Sequence, residues 1–288
     1  MLSVIIPAFN EEKFLPRCLE SLKNQKFKDF EIIVVDNNST DKTAEIAKKF
    51  NVILVSEKNQ GVAYARNKGA EIAKGEILVF TDADTIFPED WLLKIKEAFE
   101  KDKELVAFGG CFYFYSGPIS VKIASKFLLP IFLYVDKFLS NGWNLFGCNM
   151  AIKKEAFLKV GGFDVNLKIN EDAEISYRLR KIGKVILDPG FKVMTSGRRF
   201  RNGLILGLIT YLPSTIFRIL FKKFDKFQNL PPIRDENGSF LVKFFLNFVF
   251  FIALFLILFH SAGTNMLFAK SLNKFIKIKN IIKSKNSF

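Results

Sequence analysis

The stretch that decides the fold is EIIVVDNNSTDKTAEIAKKF, residues 31–50. Its apolar start predicts a buried strand at 31–35, and its second half predicts a helix that starts near Asp41. Ser39 or Thr40 would cap this helix, because a hydroxyl oxygen accepts hydrogen bonds from the free N–H groups of the first turn. The polar letters DNNSTD between strand and helix fit either a simple turn or a binding rim at the carboxyl end of a sheet.

The same alternation of strand and helix continues on both sides of this stretch. The predicted elements are strands at 2–6, 52–55 and 76–80 and helices at 12–24 and 62–73. Short apolar strands separated by helices are typical of a parallel sheet with helices on both faces. We therefore predict an α/β fold for this part of the chain.

The second half of the chain has a less regular pattern. The predicted elements are strands at 106–112 and 147–152, an aromatic-rich amphipathic segment at 119–139, and a helix that begins at Glu171 or Asp172. Farther on, the chain becomes strongly apolar at 203–221 and 240–268, with the polar loop NLPPIRDENGS between these runs. We therefore place a domain boundary near residue 200.

The charge and the composition restrict the possible partners. The formal net charge is +14, and much of the lysine excess lies in the last third of the chain beside apolar runs. That placement favours an anionic lipid surface over nucleic acid. The three cysteines form no CxxC pair, which argues against structural zinc and a disulfide framework and fits a reducing compartment. The single histidine, His260, leaves little material for histidine-based catalysis.

Two carboxylates follow the strand at 76–80, in the letters TDADT. Asp82 and Asp84 could both approach one divalent cation, because Mg²⁺ and Mn²⁺ prefer oxygen ligands and often share their shell with a phosphate. A solvated turn is the alternative, since a lone DxD pattern is a weak signal. The position of the pair after a buried strand, on the same rim as DNNSTD, favours the binding interpretation.

The letters NEDAEISYRLRKIG, residues 170–183, place acidic groups at the start of a helix. Negative charge is favourable there because of the helix dipole, so these residues fit a helix cap. They also fit a catalytic site in which Asp172 is a general base that deprotonates an attacking hydroxyl. In that case Glu171 and Glu174 are supporting or surface groups. An acceptor that is already an anion would need Asp172 only for orientation.

Five segments together resemble a known family. They are SVIIPAFNEEKFLPRCLESLKNQ, EIIVVDNNSTDKTAEIAKKF, GVAYARNKGAEIAKGEILVFTDADT, CNMAIKKEAFLKVGGFD and NEDAEISYRLRKIG, in this order. Their order and separations are similar to those of the inverting family 2 glycosyltransferases. The resemblance covers about residues 2–200. It implies the GT-A fold, a Rossmann-like, mostly parallel mixed sheet, with a nucleotide-binding half at about 1–105 and an acceptor half at about 106–200.

The resemblance also implies roles for individual residues. The donor nucleotide would contact Pro7, Ala8, Phe9, Glu11, Asp36, Asn37, Arg66, Asn67 and Asp82. The metal, Mg²⁺ or Mn²⁺, would be held by Asp84 and Asp82 together with the diphosphate, and Asp172 would be the catalytic base.

Three departures from the family pattern refine these expectations. Many relatives carry two consecutive aspartates where this chain has Asp36–Asn37, and an amide both donates and accepts, so the base is not implied to be uracil. The QxxRW motif of processive synthases is absent, which favours addition of a single sugar. A histidine that some relatives supply to the metal is missing, so the metal would depend mainly on Asp84 and the diphosphate.

Three arginines lie at the end of the region that carries the resemblance, in the letters TSGRRFR. Arg198, Arg199 and Arg201 fit either a solvated basic patch or an anion site for a diphosphate or a lipid phosphate. A guanidinium binds such groups in a forked geometry.

The C-terminal region, 201–288, suggests contact with a membrane. Residues 240–259 contain one lysine and one asparagine in a run long enough to span a bilayer, although a buried core helix is the alternative. The segment 203–221 fits an interfacial helix as well as a span, because Pro213 and Arg218 interrupt it. Spaced lysines at 270–285 predict a cytoplasmic tail.

We therefore expect a membrane-associated, metal-dependent, inverting glycosyltransferase. It would move one sugar from a UDP- or GDP-sugar to a lipid-linked or polyprenyl phosphate acceptor, at the cell membrane with its catalytic domain in the cytoplasm. One alternative is a sugar-nucleotide nucleotidyltransferase, although PAFNEEKF lacks the glycine-rich loop such enzymes carry. The other is a catalytically inactive membrane scaffold of the same fold, although the three aspartates at positions 82, 84 and 172 argue against it.

Overall fold

The computed structural model describes residues 1–200 and a few positions beyond them. These are Ser214, Thr215, Phe217, Arg218, Ile219 and Phe224. The chain divides into two compact units, Met1–Pro231 and Pro232–Phe288. The domain boundary near residue 200, expected from the sequence, stays a prediction. Arg201 and the predicted membrane helix at 240–259 lie outside the described residues. Within the described part, no helix combines the length and the apolar character that crossing a bilayer requires.

The first unit alternates strands and helices along the chain. Its strands are β1 (Leu2–Ala8), β2 (Phe30–Asp36), β3 (Ile53–Ser56), β4 (Ile77–Phe80), β5 (Thr85–Ile86), β6 (Leu105–Phe114), β7 (Met150–Lys153) and β8 (Lys184–Thr195). Its helices are α1 (Leu15–Lys23), α2 (Thr43–Ala47), α3 (Val62–Ile72), α4 (Trp91–Lys101), α5 (Ile119–Leu139), α6 (Lys154–Lys159) and α7 (Glu171–Leu179). A short 3-10 turn at Arg198–Phe200 follows β8.

The strands form one mixed sheet in the order β3-β2-β1-β4-β7-β6-β8-β5. Strand β1 is parallel to β2 and to β4, and β2 is parallel to β3. Strand β7 is antiparallel to both of its neighbours, β4 and β6. Strand β5 is also antiparallel to its neighbour β8. The prediction of a mixed α/β sheet is confirmed.

Each face of the sheet carries its own hydrophobic core. Val4 and Ile6 of β1 pack with α1 and α4 on one face. Ile5 of the same strand packs with α3 and α7 on the other. Successive side chains of a strand point to opposite faces, so a strand buried on both sides must be continuously apolar. This requirement explains the unbroken apolar runs from which the strands were predicted.

Several local predictions differ from the structure. The sequence predicts neither the strands β5 and β8 nor the helices α4 and α6, and α5 has the bounds of the predicted amphipathic segment. The predicted cap of α2 is wrong. Neither Ser39 nor Thr40 caps this helix; instead Asp41 accepts the backbone N–H of Thr43 at 2.9 Å, and α2 begins at Thr43. A carboxylate two residues upstream reaches the same free N–H groups that a hydroxyl cap would satisfy.

Candidate active site

The carboxyl ends of β1, β2 and β4 form one edge of the sheet. Pro7 and Ala8 are the last residues of β1, and Ala8 is in register with Asp36 at the end of β2. The parallel pairing of β1 with β4 brings the end of β4 to the same edge. The loops after these strands carry the candidate residues Phe9, Glu11, Asn37, Asp82 and Asp84. The DNNSTD and TDADT loops therefore lie on one rim, as the sequence predicted.

Hydrogen bonds tie the loop after β1 to the loop after β2. The backbone N–H of Glu11 donates to Thr43 Oγ1 at 2.7 Å, and that of Glu12 donates to Asp41 Oδ2 at 3.1 Å. Burial alone would raise the pKa of Asp41, but the hydrogen bonds from Thr43 and Glu12 outweigh burial and hold that pKa below its usual value. An ionised Asp41 thus fixes both loops of the rim in one arrangement.

Asn37 joins the end of β2 to the loop between β3 and α3. Its Nδ2 donates to the carbonyl oxygens of Glu57 at 2.9 Å and Asn59 at 2.7 Å. Its Oδ1 accepts the N–H of Gly61 at 2.8 Å, and the residue is 3% exposed. Both amide hydrogens are thus in use, so reading a nucleotide base with Asn37 would require these bonds to break. Asp36 beside it is only partly buried.

Asp82 and Asp84 lie on the rim in different surroundings. The Asp82 side chain is 40% exposed, whereas the Asp84 side chain is 9% exposed. Thr195 Oγ1 donates to Asp84 Oδ1 at 3.1 Å. Burial raises the pKa of Asp84 to about 6, although the guanidinium of Arg198 lowers it. A buried carboxylate of this kind is stabilised in its ionised form by a cation placed against it.

Arg198 supplies a positive charge to this part of the rim. Its guanidinium donates to both oxygens of Glu11, at 2.8 and 2.6 Å, and lies 3.0 Å from Asp84 Oδ2. It also stacks over the Phe14 ring, 4.6 Å from the centroid. Arg198 was predicted to belong to an anion site; here it binds carboxylates, with which a phosphate would have to compete. Arg199 is an exposed neighbour in the same turn.

Arg66 is the buried centre of a second group of charges. Its side chain is 3% exposed, and it reaches Asp82 Oδ1 at 2.9 Å and Glu171 Oε1 at 2.7 Å. Its guanidinium also faces the Phe163 ring at 5.4 Å. Burial alone would lower the pKa of Arg66, but Asp82 and Glu171 outweigh burial and raise it. Arg66 therefore connects the loop after β4 to the first turn of α7.

Asp172 lies beside this ion pair, in the first turn of α7. Its Oδ2 accepts the N–H of Gly147 at 3.1 Å, and its Oδ1 accepts the N–H of Ala173 at 2.8 Å. Burial raises the pKa of Asp172, although Arg66 lowers it. A carboxylate with a raised pKa is a better proton acceptor near neutral pH than an ordinary aspartate.

Gly147 lies against both the Arg66 guanidinium and the Asp172 carboxylate. A Cβ at this position would lie 2.3 Å from Nη2 of Arg66, so any larger residue would have to displace this buried, ion-paired guanidinium. The same residue donates its N–H to Asp172. The sequence offered a signal for this glycine, because it directly precedes the motif CNMAIKKEAFLKVGGFD, but the residue was not singled out.

Asn67 and Glu171 have structural partners that the sequence did not reveal. The Asn67 amide bonds both the N–H and the carbonyl oxygen of Phe163 at 2.9 Å, so it fastens α3 to the segment before α7. The sequence predicts that Glu171 is a supporting or surface group. Burial and the neighbouring Asp172 raise its pKa to about 7, while Arg66 lowers it. Glu171 is thus a buried supporting group.

Residues 3–161 match a known family model, described as Glycosyl transferase family 2. The chain belongs to glycosyl transferase family 2. This assignment sets aside the nucleotidyltransferase alternative. An uncharacterized glycosyltransferase of Haemophilus influenzae is 34% identical over 194 residues, which is 62% of this chain and 62% of the relative. The chain thus spans less than two thirds of that relative's length.

Two further similarities extend over more of this family 2 glycosyltransferase. A glucosyl-dolichyl phosphate glucuronosyltransferase of Haloferax volcanii is 22% identical over 266 residues, 86% of this chain and 84% of the relative. The solved mannosyltransferase PcManGT from Pyrobaculum calidifontis, in complex with GDP-Man and Mn²⁺, has a TM-score of 0.61 and 21% identity. That match covers 75% of this chain and 63% of the other, and it shows a GT-A-like fold.

Two rim carboxylates, Asp82 and Asp84, could supply part of the ligand set of a divalent cation. Among the described residues, no group of three or more His, Cys, Asp and Glu side chains could hold a metal ion. Asp82 and Asp84 offer carboxylate oxygens, the ligands that Mg²⁺ and Mn²⁺ prefer, but further oxygens must come from elsewhere. The guanidinium 3.0 Å from Asp84 shows that a positive charge is accommodated at this carboxylate.

Proposed function

We propose that this glycosyltransferase moves a single sugar, with inversion at the anomeric carbon, from a nucleoside-diphosphate sugar to an acceptor at a membrane surface. The observation that carries the proposal is the bridge made by Arg66. The buried guanidinium of Arg66 binds two carboxylates. One is Asp82, on the rim that carries the candidate donor residues, and the other is Glu171, the neighbour of the predicted base Asp172.

The residues on the two sides of this bridge suit the two halves of a displacement. A hydroxyl oxygen of the acceptor attacks the anomeric carbon and gives its proton to Asp172. The bond between that carbon and the diphosphate oxygen breaks, and the diphosphate leaves with the electron pair. Attack from the side opposite the leaving group inverts the anomeric carbon. Asp172 is oriented for this role by the N–H of Gly147.

The donor side would bind the nucleotide along the rim, against β1 and near Asp36. Asp82 and Asp84 would hold Mg²⁺ or Mn²⁺, which supplies positive charge for the departing diphosphate when it is bound. The solved PcManGT complex with GDP-Man and Mn²⁺ supports this proposal by its fold. Arg198 and Arg199 lie close enough to Asp84 to influence its pKa, so they are placed to meet phosphate oxygens in the same region.

A screen of purified protein against nucleotide sugars, with and without Mn²⁺, tests the proposed reaction. We expect metal-dependent release of a nucleoside diphosphate from one or a few donors.

Asp84→Asn should weaken metal-dependent donor binding by about 10- to 100-fold in calorimetry, the range typical of changes around a bound metal. Asp188→Asn, an exposed aspartate on β8, is the matched control and should bind like wild type. Equal binding by wild type and Asp84→Asn would contradict the metal proposal, and no turnover with any donor would favour an inactive scaffold.

The proposed acceptor is lipid-linked, and the proposed location is the cytoplasmic side of the cell membrane. Two observations support this: the apolar run at 240–259 and the similarity to a glucosyl-dolichyl phosphate glucuronosyltransferase.

We expect the full chain to sediment with membranes and to resist extraction by high salt, because ions screen headgroup attraction but do not weaken apolar burial. Release by salt alone would contradict an anchor in the hydrocarbon layer.

A further inference from the structure

Helix α5 has two apolar faces, and the described structure covers one of them. The covered face packs against β6, where Val121 and Leu133 are 1% and 2% exposed. Ser125 on the same face accepts the N–H of Phe114 at 3.1 Å. This side of the helix therefore has ordinary core partners.

The second face of α5 is a row of exposed apolar side chains. Ile123, Phe127, Ile131 and Val135 follow one another at intervals of four residues and are 49–62% exposed. Phe138 continues the row at 84% exposure. Residues four apart lie on the same side of a helix, so these side chains form one continuous stripe. Contiguous apolar patches of this kind mark interaction sites on soluble domains.

The exposed charges of α5 itself are all positive. Lys122, Lys126 and Lys137 are exposed on α5. The one acid of the helix, Asp136, is buried and paired with Arg218 at 2.7 Å. An apolar stripe bordered by lysines is the pattern of helices that lie in the plane of an anionic lipid surface. A second copy of this chain, with a net charge of +14, is disfavoured by like-charge repulsion.

We propose that the stripe formed by residues 123, 127, 131, 135 and 138 docks on an anionic bilayer, with the α5 lysines at the headgroups. Long lysine side chains can place their ammonium groups at headgroup level while their stems stay in apolar surroundings. The inference rests on the proposed function for its purpose, because docking would bring the enzyme to a lipid-linked acceptor.

The position of α5 in the fold would point the rim toward the bilayer. Strand β7 is antiparallel to both β4 and β6, so β6 ends at the same edge as β4, and α5 follows that end. At its other end, Asp136 accepts from Asn144 at 2.8 Å, and Asn144 Oδ1 accepts from Arg180 at 2.8 Å. Arg180 directly follows α7, the helix that carries Asp172. These hydrogen bonds thus connect α5 to α7.

Tryptophan quenching in the full chain tests the contact at one position. Two variants are made in a Trp143→Phe background, which leaves the buried Trp91 as the only native indole. They are Phe127→Trp on the stripe and Leu158→Trp on α6, and the native side chains are 61% and 62% exposed. Helix α6 follows β7 and begins at the amino end of β4, where the Lys154 N–H donates to Glu76 at 2.8 Å. The control therefore lies at the opposite edge of the sheet.

With vesicles of phosphatidylglycerol and phosphatidylcholine that carry brominated chains, we expect quenching in Phe127→Trp and none in Leu158→Trp. Adding Ile131→Glu to Phe127→Trp should lower the apparent affinity of that quenching about 10-fold, the effect of losing one buried apolar side chain. Vesicles of phosphatidylcholine alone should quench less, because the lysines then have no anionic partner.

Three outcomes would overturn the proposal. Equal quenching in both variants would mean unspecific lipid contact, and quenching in neither would mean that the stripe does not meet the bilayer. An indole at position 127 that is already shielded from iodide without vesicles would mean that another part of the chain or a second copy covers the stripe. Because the readout is lipid contact and donor turnover is measured separately, this inference and the proposed function can fail independently.

Discussion

Replacing Asp172 by Asn should lower turnover by about 10²- to 10⁴-fold while leaving donor affinity nearly unchanged. The amide keeps the shape of the side chain and can still accept from Gly147, which donates to Oδ2 at 3.1 Å. It cannot take a proton from the acceptor hydroxyl. The loss should therefore appear in kcat, and a single-turnover measurement with saturating donor would show it directly.

The pH profile gives a second readout of the same variant. Burial raises the pKa of Asp172, so the fraction in the basic form falls as the pH is lowered through that pKa. We expect kcat/KM of the wild type to fall on the acid side. Asp172→Asn should lose the part of this fall that belongs to Asp172, while the protonation of Asp84, whose pKa is about 6, still lowers activity in both proteins. Glu174→Gln is the matched control, because it removes the same charge from the same turn of α7. Wild-type turnover in Asp172→Asn would contradict the role of base and would point to an acceptor that is already an anion.

Replacing Arg66 by Met should lower the free energy of unfolding by about 3–5 kcal/mol near pH 8, the usual cost of leaving a buried charge without its partner. Glu171 is buried and would lose an ion pair of 2.7 Å. Asp82, which is 40% exposed, would lose its pair at less cost because water can replace the guanidinium. Urea denaturation followed by tryptophan fluorescence measures the change.

The pH dependence of this loss identifies its cause. Without Arg66, Glu171 can avoid burying a charge by taking up a proton, so the destabilisation should be smaller at pH 5 than at pH 8. The double variant Arg66→Met with Glu171→Gln should recover part of the loss, because no ionised glutamate is then left in the buried site. Equal stability losses at both pH values, with no recovery in the double variant, would show that packing rather than charge explains the effect.

The sequence was sufficient to predict the sheet and the rim because both follow from local pattern. A strand buried on both faces must be apolar without interruption, and this requirement is visible in any single stretch, as in EIIVV. Parallel strands joined by right-handed crossovers also end at one edge of the sheet. The loops after β1, β2 and β4 therefore had to meet, and the candidate donor residues could be placed on one rim.

The shorter elements on the far side of the sheet were harder to predict. Helix α6 has six residues and β5 has two, so neither is long enough to show a clear periodicity. Strand β8 contains Pro189 and Gly190, residues that usually indicate a turn. Pairing with β6 and β5 keeps this segment in the sheet, and that pairing is a tertiary contact.

By itself, the sequence thus determined an α/β sheet with its carboxylates on one edge, because burial and chain direction act on neighbouring residues. Only the tertiary structure decided which charges are paired. Arg66 reaches Glu171 across 105 residues of chain, and Arg198 reaches Glu11 across 187. No periodic pattern in the sequence shows which acid a long arginine side chain will bind. Its partner is the opposite charge that packing of the chain brings within reach in the low-dielectric interior. For that physical reason, Arg66 and Arg198 could be predicted as site residues but not as the partners of buried carboxylates.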